Sequence, residues 1–174
     1  MDIPALKNKL AENHRLFTAF VAALPDEAFL QQSNGKWSAG QLLEHIYLSV
    51  KPVRQALSLP KYFLRLLFGK ANRPGRAYAA LVEKYKQQLS AGGKAPGRFV
   101  PRLVPLEKKE KGVKAVEKEI ASICEKLEKY TETELDTYIL PHPLLGKLTL
   151  REMMYFTIYH VSHHLEQLQQ NSRA

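Results

Sequence analysis

Four long segments in which apolar residues recur every three or four positions constrain the fold of this chain most strongly. This spacing places the apolar residues on one face of an α-helix. The segments cover residues 3–24, 38–52, 107–130 and 149–170, and Pro52 is expected to kink or shorten the second helix. No stretch alternates strongly enough to predict a sheet. Four helices with apolar faces predict an all-α fold, with a four-helix bundle as the natural packing.

Two of these helices carry clear start signals. Ser38 is followed three residues later by Gln41, and Thr149 by Glu152, which is the spacing of a capping box. In a capping box each side chain of the pair satisfies a backbone N–H that the first helical turn leaves free. We therefore expect the second helix to begin at Ser38 and the fourth at Thr149.

The predicted connections between the helices differ in length. The first, with breaks at 25–26 and 33–35, and the third, with a turn at 141–147, are expected to be short. The second is long and contains a short apolar helix that ends at Gly69, a further turn or two within 77–89, and a Pro/Gly-rich loop at 91–105. The chain is thus predicted to form one domain over residues 1–174. One long crossover joins the second and third helices, with an irregular insert at about 58–105.

Composition and charge limit the possible partners. Lys and Arg number 26 against 17 Asp and Glu, a formal charge of +9 that attracts anions. A basic, apolar group that includes Lys61, Arg65 and Arg73 could bind an anionic surface. No zinc-finger, helix-turn-helix or RNA-binding signature accompanies the charge, so we expect no nucleic-acid role. No run approaches the ~20 apolar residues of a membrane span. The N-terminal residues lack the layout of a signal peptide, and Cys124 is the single cysteine, which favours the cytoplasm.

The histidines provide the candidate functional site. His160 and His164 are four residues apart on the fourth helix, so they differ by only ~40° around its axis and can present two imidazoles to one metal ion. His45 lies on the apolar face of the second helix and could supply a third ligand, or it could be an ordinary core histidine. His163 could replace a ligand, although His164 would then point away. Three imidazoles would leave positions open, as in a catalytic zinc site, and nickel or cobalt could also fill such a site.

Three stretches of the sequence together resemble the DinB-like (DinB/YfiT-like) superfamily of metalloenzymes. They are WSAGQLLEH at 37–45, LLGKLT at 144–149 and HVSHHLEQL at 160–168. The resemblance implies a four-helix bundle that holds a divalent metal ion, with His45, His160 and His164 as the three ligands. It also implies a homodimer and a thiol-dependent transferase or isomerase that uses a low-molecular-weight thiol.

The predicted function follows from this site. We expect a metal-dependent enzyme that acts on a small molecule with zinc or nickel as its ion. The expected reaction is a thiol-dependent S-transfer or a related hydrolysis or isomerisation. The alternative is a non-catalytic metal-binding module that acts through dimerisation or binding to an anionic surface. An imidazole that binds a metal ion usually donates its other N–H to an acceptor. The candidate acceptors are backbone carbonyls and the side chains of Glu44, Ser49, Glu152 and Glu166.

The remaining candidates are expected to be structural. His142 lies between two prolines and is interpreted as a turn residue, and His14 as a core residue on the first helix. Cys124 borders the apolar stripe of the third helix and is interpreted as a small buried residue. Tyr155 and Tyr159 could either line a pocket or pack.

Overall fold

Helices make up most of the computed structural model of the chain, which describes residues 1–32 and 35–171. The α-helices of these residues are α1 (Ile3–Ala23), α2 (Asp26–Leu30), α3 (Ala39–Leu57), α4 (Lys61–Phe68), α5 (Tyr78–Ser90), α6 (Lys109–Leu127), α7 (Glu132–Thr137) and α8 (Leu150–Asn171). Short 3-10 turns lie at Gly97–Phe99 and Leu106–Lys108. The prediction of a mostly helical protein is confirmed.

The four predicted long helices correspond to α1, α3, α6 and α8. α1 packs against α6 and α8, and α3 packs against α6. The approach of α3 to α6 is close, because a Cβ atom on Gly112 would come within 2.9 Å of the Leu43 side chain. Both predicted capping boxes are present, at Ser38 with Gln41 and at Thr149 with Glu152.

The connections contain more structure than predicted. The connection between α1 and α3 contains α2, and the connection between α6 and α8 contains α7 and a β-hairpin. The prediction that these two connections are short was therefore wrong. Helices of five and six residues are too short to show a periodic pattern, although a capping box of Thr131 and Glu134 marks the start of α7. In the long connection, α4 ends at Gly69 as predicted, and α5 is longer than the predicted turn or two. Of the predicted break at 33–35, residues 33 and 34 lie outside the described residues.

A two-stranded antiparallel sheet corrects the expectation of no sheet. β1 (Ile139–His142) pairs with β2 (Gly146–Thr149), with Ile139 opposite Thr149 and His142 opposite Gly146. Gly146 has a φ of 75°, which glycine adopts without the steric cost that other residues incur. Strands of four residues are too short for a reliable alternating pattern. The sequence therefore predicted the turn at 141–147 but not the two strands that flank it.

Pro52 does not shorten α3, which continues to Leu57. Proline has no N–H for the helical hydrogen bond, which normally weakens a helix at that point. Val53 and Leu57 beyond it are buried in the core. Their burial offsets the lost hydrogen bond and keeps the last turn of α3 helical.

One cluster of buried apolar side chains draws on each of α1 to α8. His14 is part of this interior, as predicted: its Nδ1–H donates to the Leu10 carbonyl over 2.8 Å, and its Nε2 atom has no partner within the described residues. Burial lowers the pKa of His14 to about 4, so its ring is neutral. The single domain over residues 1–174 stays a prediction. None of the helices in the described residues combines the length and hydropathy that a membrane span needs.

A buried carboxylate at the start of α8 fastens the long connection to that helix. Glu152 is fully buried, and its two oxygens accept from Arg73 at 2.8 Å each. The backbone N–H of Arg76 donates to it at 2.9 Å, and that of Thr149 at 2.9 Å. Burial alone would raise the pKa of Glu152, but these donors lower it, so the group stays ionised. Glu152 therefore orders the first turn of α8 and the segment before α5 together.

We predict that Glu152→Gln lowers the free energy of unfolding by about 2–4 kcal/mol, because it leaves two arginines without their buried counter-charge. The matched control is Glu110→Gln, whose carboxylate is exposed and pairs with Lys114 on the same helix. The control should change stability by no more than about 0.5 kcal/mol. Urea unfolding of both variants measures the difference, and equal effects would contradict the role given to Glu152.

Candidate metal centre

α3 carries His45 into the interior from a firmly capped start. The Ser38 hydroxyl accepts from the Gln41 backbone N–H, and the Gln41 side chain accepts from the Ser38 backbone N–H. His45 is two turns further along and is buried. The Trp37 ring packs against the His45 ring at a centroid distance of 4.9 Å. The capping box and this contact together set the orientation of the imidazole.

α8 carries the other two histidines. His160 and His164 are both buried, and their ring centroids lie 4.6 Å apart in an edge-to-face arrangement. The Phe156 ring stacks on His160 from the preceding turn, with centroids 4.8 Å apart. The spacing of four residues thus brings both rings to the same face of the helix, as predicted.

The three imidazoles converge through the same ring atom. Nε2 of His160 lies 3.1 Å from Nε2 of His45 and 3.0 Å from Nε2 of His164. Ligand nitrogens of all three residues lie within 4.8 Å of one another. Within the described residues, His163 is not part of this group, and no Cys, Asp or Glu joins it.

The hydrogen bonds on the opposite side of two rings define their tautomers. Nδ1–H of His45 donates to the Phe99 carbonyl over 2.7 Å, and Nδ1–H of His164 donates to Oε1 of Gln167 over 2.8 Å. A carbonyl oxygen can only accept, so each Nδ1 carries the proton and each Nε2 presents a lone pair. A hydrogen on Nε2 of His160 can point at one of these neighbours only. At least one of the two close nitrogen pairs is therefore lone pair against lone pair, unless a cation lies between them.

The protonation state of the three rings also suits a cation. Burial lowers the pKa of His45, and burial lowers the pKa of His164 to about 3. The pKa of His160 is well below its ordinary value, first through burial and then through repulsion by a charge on His164 or His45. All three rings are therefore neutral near pH 7, which is the form that binds metal ions.

The residues present fit a divalent metal ion. Imidazole nitrogens lie 2.0–2.1 Å from zinc in proteins, so two ligands of a tetrahedral ion are about 3.3 Å apart. The separations of 3.0 and 3.1 Å at His160 are close to this value. Two of the rings also have the outer hydrogen bond that orients a ligating histidine. That the three histidines bind metal stays a prediction.

A backbone carbonyl, one of the expected kinds of partner, orients His45, and it belongs to Phe99. Gln167, which orients His164, was not among the expected groups. In the described structure, Glu44, Glu152 and Glu166 make no hydrogen bond to the three imidazoles, and Ser49 donates to the His45 carbonyl instead. Gln167 lies three residues after His164 on α8, a spacing that could have marked it. Phe99 could not have been found in this way, because its backbone carbonyl comes from the irregular connection 54 residues away.

The other histidines lie near the centre without joining it. His163 accepts from Nε2 of Gln167 over 3.0 Å, so one amide links His163 to His164. His142 is the last residue of β1 and not a turn residue as interpreted; its Nδ1 accepts from the backbone N–H groups of Leu144 and Leu145 in the turn that follows. His142 also packs against Phe156, at a centroid distance of 4.2 Å.

Cys124 and the two tyrosines are placed elsewhere. Burial raises the pKa of the Cys124 thiol, whose Sγ lies 3.7 Å from the Lys7 carbonyl. A thiol with a raised pKa is a poor nucleophile. The hydroxyl of Tyr155 accepts from the N-terminal amine, and Tyr159 stacks on His163.

The histidine cluster forms part of the wall of a cavity of about 400 Å³. Most of its lining is apolar and comes from α3, α5, α8, the hairpin and the loop before α6. Cavities of this size, apolar with a few convergent polar groups, are typical of small-molecule sites.

A family model described as the DinB superfamily matches residues 9–168. The chain belongs to the DinB superfamily. The match covers most of the chain and includes His45, His160 and His164, so the family assignment made from the three sequence stretches is confirmed. A search of curated proteins and a search of solved structures each found no match.

We predict that Gln167→Leu weakens the binding of zinc by about 10–100-fold, because Nδ1–H of His164 loses the acceptor that fixes its tautomer. Gln170→Leu, on an exposed position of the same helix, is the control and should leave the affinity unchanged. Competition with a chromophoric chelator measures both affinities. Equal affinities of the two variants would show that Gln167 does not orient the ligand.

Proposed function

We propose that this DinB superfamily protein is a metal-dependent enzyme in which His45, His160 and His164 hold one divalent cation. The observation that carries the proposal is the approach of three Nε2 atoms, with separations of 3.0 and 3.1 Å at His160. Zinc and nickel are the proposed ions, since neutral imidazole suits both. The packing of α1 on α6 and α8, and of α3 on α6, supports a four-helix bundle as the scaffold.

The number of protein ligands supports a catalytic role over a structural one. A structural zinc site normally closes its fourth position with another side chain, whereas a catalytic site keeps it for water or substrate. Within the described residues only three histidines form the group. The group also borders a cavity large enough for a small molecule.

The proposed reaction is a thiol-dependent S-transfer or a related hydrolysis or isomerisation. When bound, a divalent cation would supply Lewis-acid chemistry, which makes a thiol or water more nucleophilic near neutral pH. The chain itself would hold the three rings neutral, orient two of them through Phe99 and Gln167, and surround the substrate with mostly apolar walls. The proposed partners are a small-molecule substrate and a low-molecular-weight thiol. The single cysteine supports the cytoplasm as the proposed compartment.

We predict that protein purified without immobilised nickel contains about one divalent ion per chain. His45→Ala and His160→Ala should lose this ion, whereas His163→Ala should retain it because its ring is outside the converging group. Metal analysis after gel filtration checks the content. The same preparations, screened with small thiols and electrophiles, should consume thiol only where the ion is retained.

Unchanged metal content in His45→Ala and His160→Ala would place the ion elsewhere and overturn the proposed site. Retained metal without thiol consumption by any thiol tested would leave the site standing and contradict the S-transfer reaction. Circular dichroism of each variant shows that the loss of the ion does not come from unfolding.

A second candidate function, association between two copies of the chain, is favoured by the surface of α4. Tyr62, Phe63, Leu66 and Leu67 on this helix are each between 46% and 68% exposed. Adjacent exposed apolar side chains of this kind mark an interaction surface. The competing role, binding to an anionic surface, is less well supported, because Lys61 pairs with Glu134 and Arg73 with Glu152.

We propose that the α4 surface forms a homodimer. Leu66→Glu should convert a dimer to a monomer, because a charge at the centre of a buried apolar contact is costly. Leu16→Glu is the control, since Leu16 is similarly exposed on α1. Light scattering coupled to gel filtration measures the mass, and a monomeric wild-type protein would refute the proposal.

A further inference from the structure

The cavity beside the histidines has walls that are almost free of charge. Its lining contains no Asp or Glu in the described part of the chain. Apolar side chains face it from each element, among them Val53, Phe68, Phe99, Leu140, Met153 and Phe156. Contact with an apolar molecule removes such a surface from water, which makes the free energy of binding more favourable.

Among the lining residues that the structure describes, Arg98 is the one Lys, Arg, Asp or Glu. It is exposed, and its guanidinium lies over the Phe99 ring, 4.7 Å from the centroid. An anion near Arg98 would therefore be in contact with solvent and gain little. In the metal-free chain, an anion deeper in the cavity would lose its hydration without a compensating charge from the walls.

Tyr85 on α5 supplies a polar group to this apolar lining. Tyr85 is 6% exposed, and its ring packs edge-on against those of Phe156 and His160, at centroid distances of 5.2 and 6.2 Å. No described residue hydrogen-bonds to its hydroxyl. A tyrosine hydroxyl keeps its proton near neutral pH and can donate a hydrogen bond.

We propose that the cavity binds an uncharged molecule with an apolar body and one polar acceptor group, such as a carbonyl, and that the Tyr85 hydroxyl donates to this acceptor beside the imidazoles. Tyr85 is thus the residue that sets the orientation and specificity of the ligand. The ligand class deepens the proposed enzymatic function and takes its chemistry from it. Binding by the walls and Tyr85 does not require the cation.

Trp37 gives a direct signal for occupancy of the cavity. It is the single tryptophan of the chain and lines the cavity. Three probes of matched shape distinguish the ligand classes: 4-phenylbutan-2-one has a carbonyl, 3-phenylpropanoate has a charge, and butylbenzene has neither. Titration of each into the full chain after treatment with a chelator, followed by Trp37 fluorescence and calorimetry, separates the walls from the metal.

We expect the ketone to bind at least tenfold more tightly than the carboxylate, and butylbenzene to bind measurably. Tyr85→Phe should weaken the ketone about fivefold, the effect of one hydrogen bond, and leave butylbenzene unchanged. Tyr159→Phe is the matched control, because Tyr159 is adjacent to Tyr85 but outside the lining. It should change neither affinity.

Three results would overturn the proposal: carboxylate binding equal to or tighter than that of the ketone, equal effects of Tyr85→Phe and Tyr159→Phe, or no response of Trp37 and calorimetry to any probe.

Failure of the proposed metal-dependent function would give a different set of results. If His160→Ala retains the metal while the chelated wild-type protein prefers the ketone, the ligand class stands and the metal site fails. If His45, His160 and His164 hold the metal but the ketone is not preferred, the metal site stands and the proposed ligand class fails.

Discussion

Three neutral imidazoles buried against one another are the interaction on which the site depends. Two of the Nε2 atoms are 3.0 and 3.1 Å from the third, and the outer hydrogen bonds of His45 and His164 fix lone pairs on two of them. Such an arrangement is costly in a low-dielectric interior unless something positive shares the lone pairs. Protonation is an expensive solution, since burial lowers the pKa of each ring. A divalent cation would satisfy all three nitrogens at once.

The three imidazoles meet because α3 and α8, which are far apart in the sequence, lie side by side in the fold. Capping boxes set where α3 and α8 begin, and therefore which residues face inward. The hydrogen bonds of Glu152 to Arg73 and Arg76 hold the segment before α5 against α8, and α5 brings Tyr85 to the same cavity. The loop before α6 adds the Phe99 carbonyl. The long connection is thus part of the site as well as a crossover.

The sequence predicted the candidate site residues more completely than it predicted the short elements of the fold. His160 and His164 were found from their spacing on one helix, and both helix starts from their capping boxes, because these signals are local. His45 needed the family resemblance, since no local signal shows which residue meets it across the interior. The short elements α2, α7 and the β1–β2 hairpin were missed because each is shorter than the periods that reveal it. Tyr85 and Phe99 lie in the long connection, where tertiary packing rather than sequence pattern decides the contacts.

X-ray absorption spectroscopy of the protein loaded with one equivalent of zinc tests the central claim most directly. The account predicts a first coordination sphere dominated by nitrogen at about 2.0–2.1 Å, with the outer scattering of three imidazoles that falls to two in His45→Ala. A sphere of oxygen or sulfur ligands, or a spectrum that His45→Ala does not change, would contradict the convergence of α3 and α8 on a single ion.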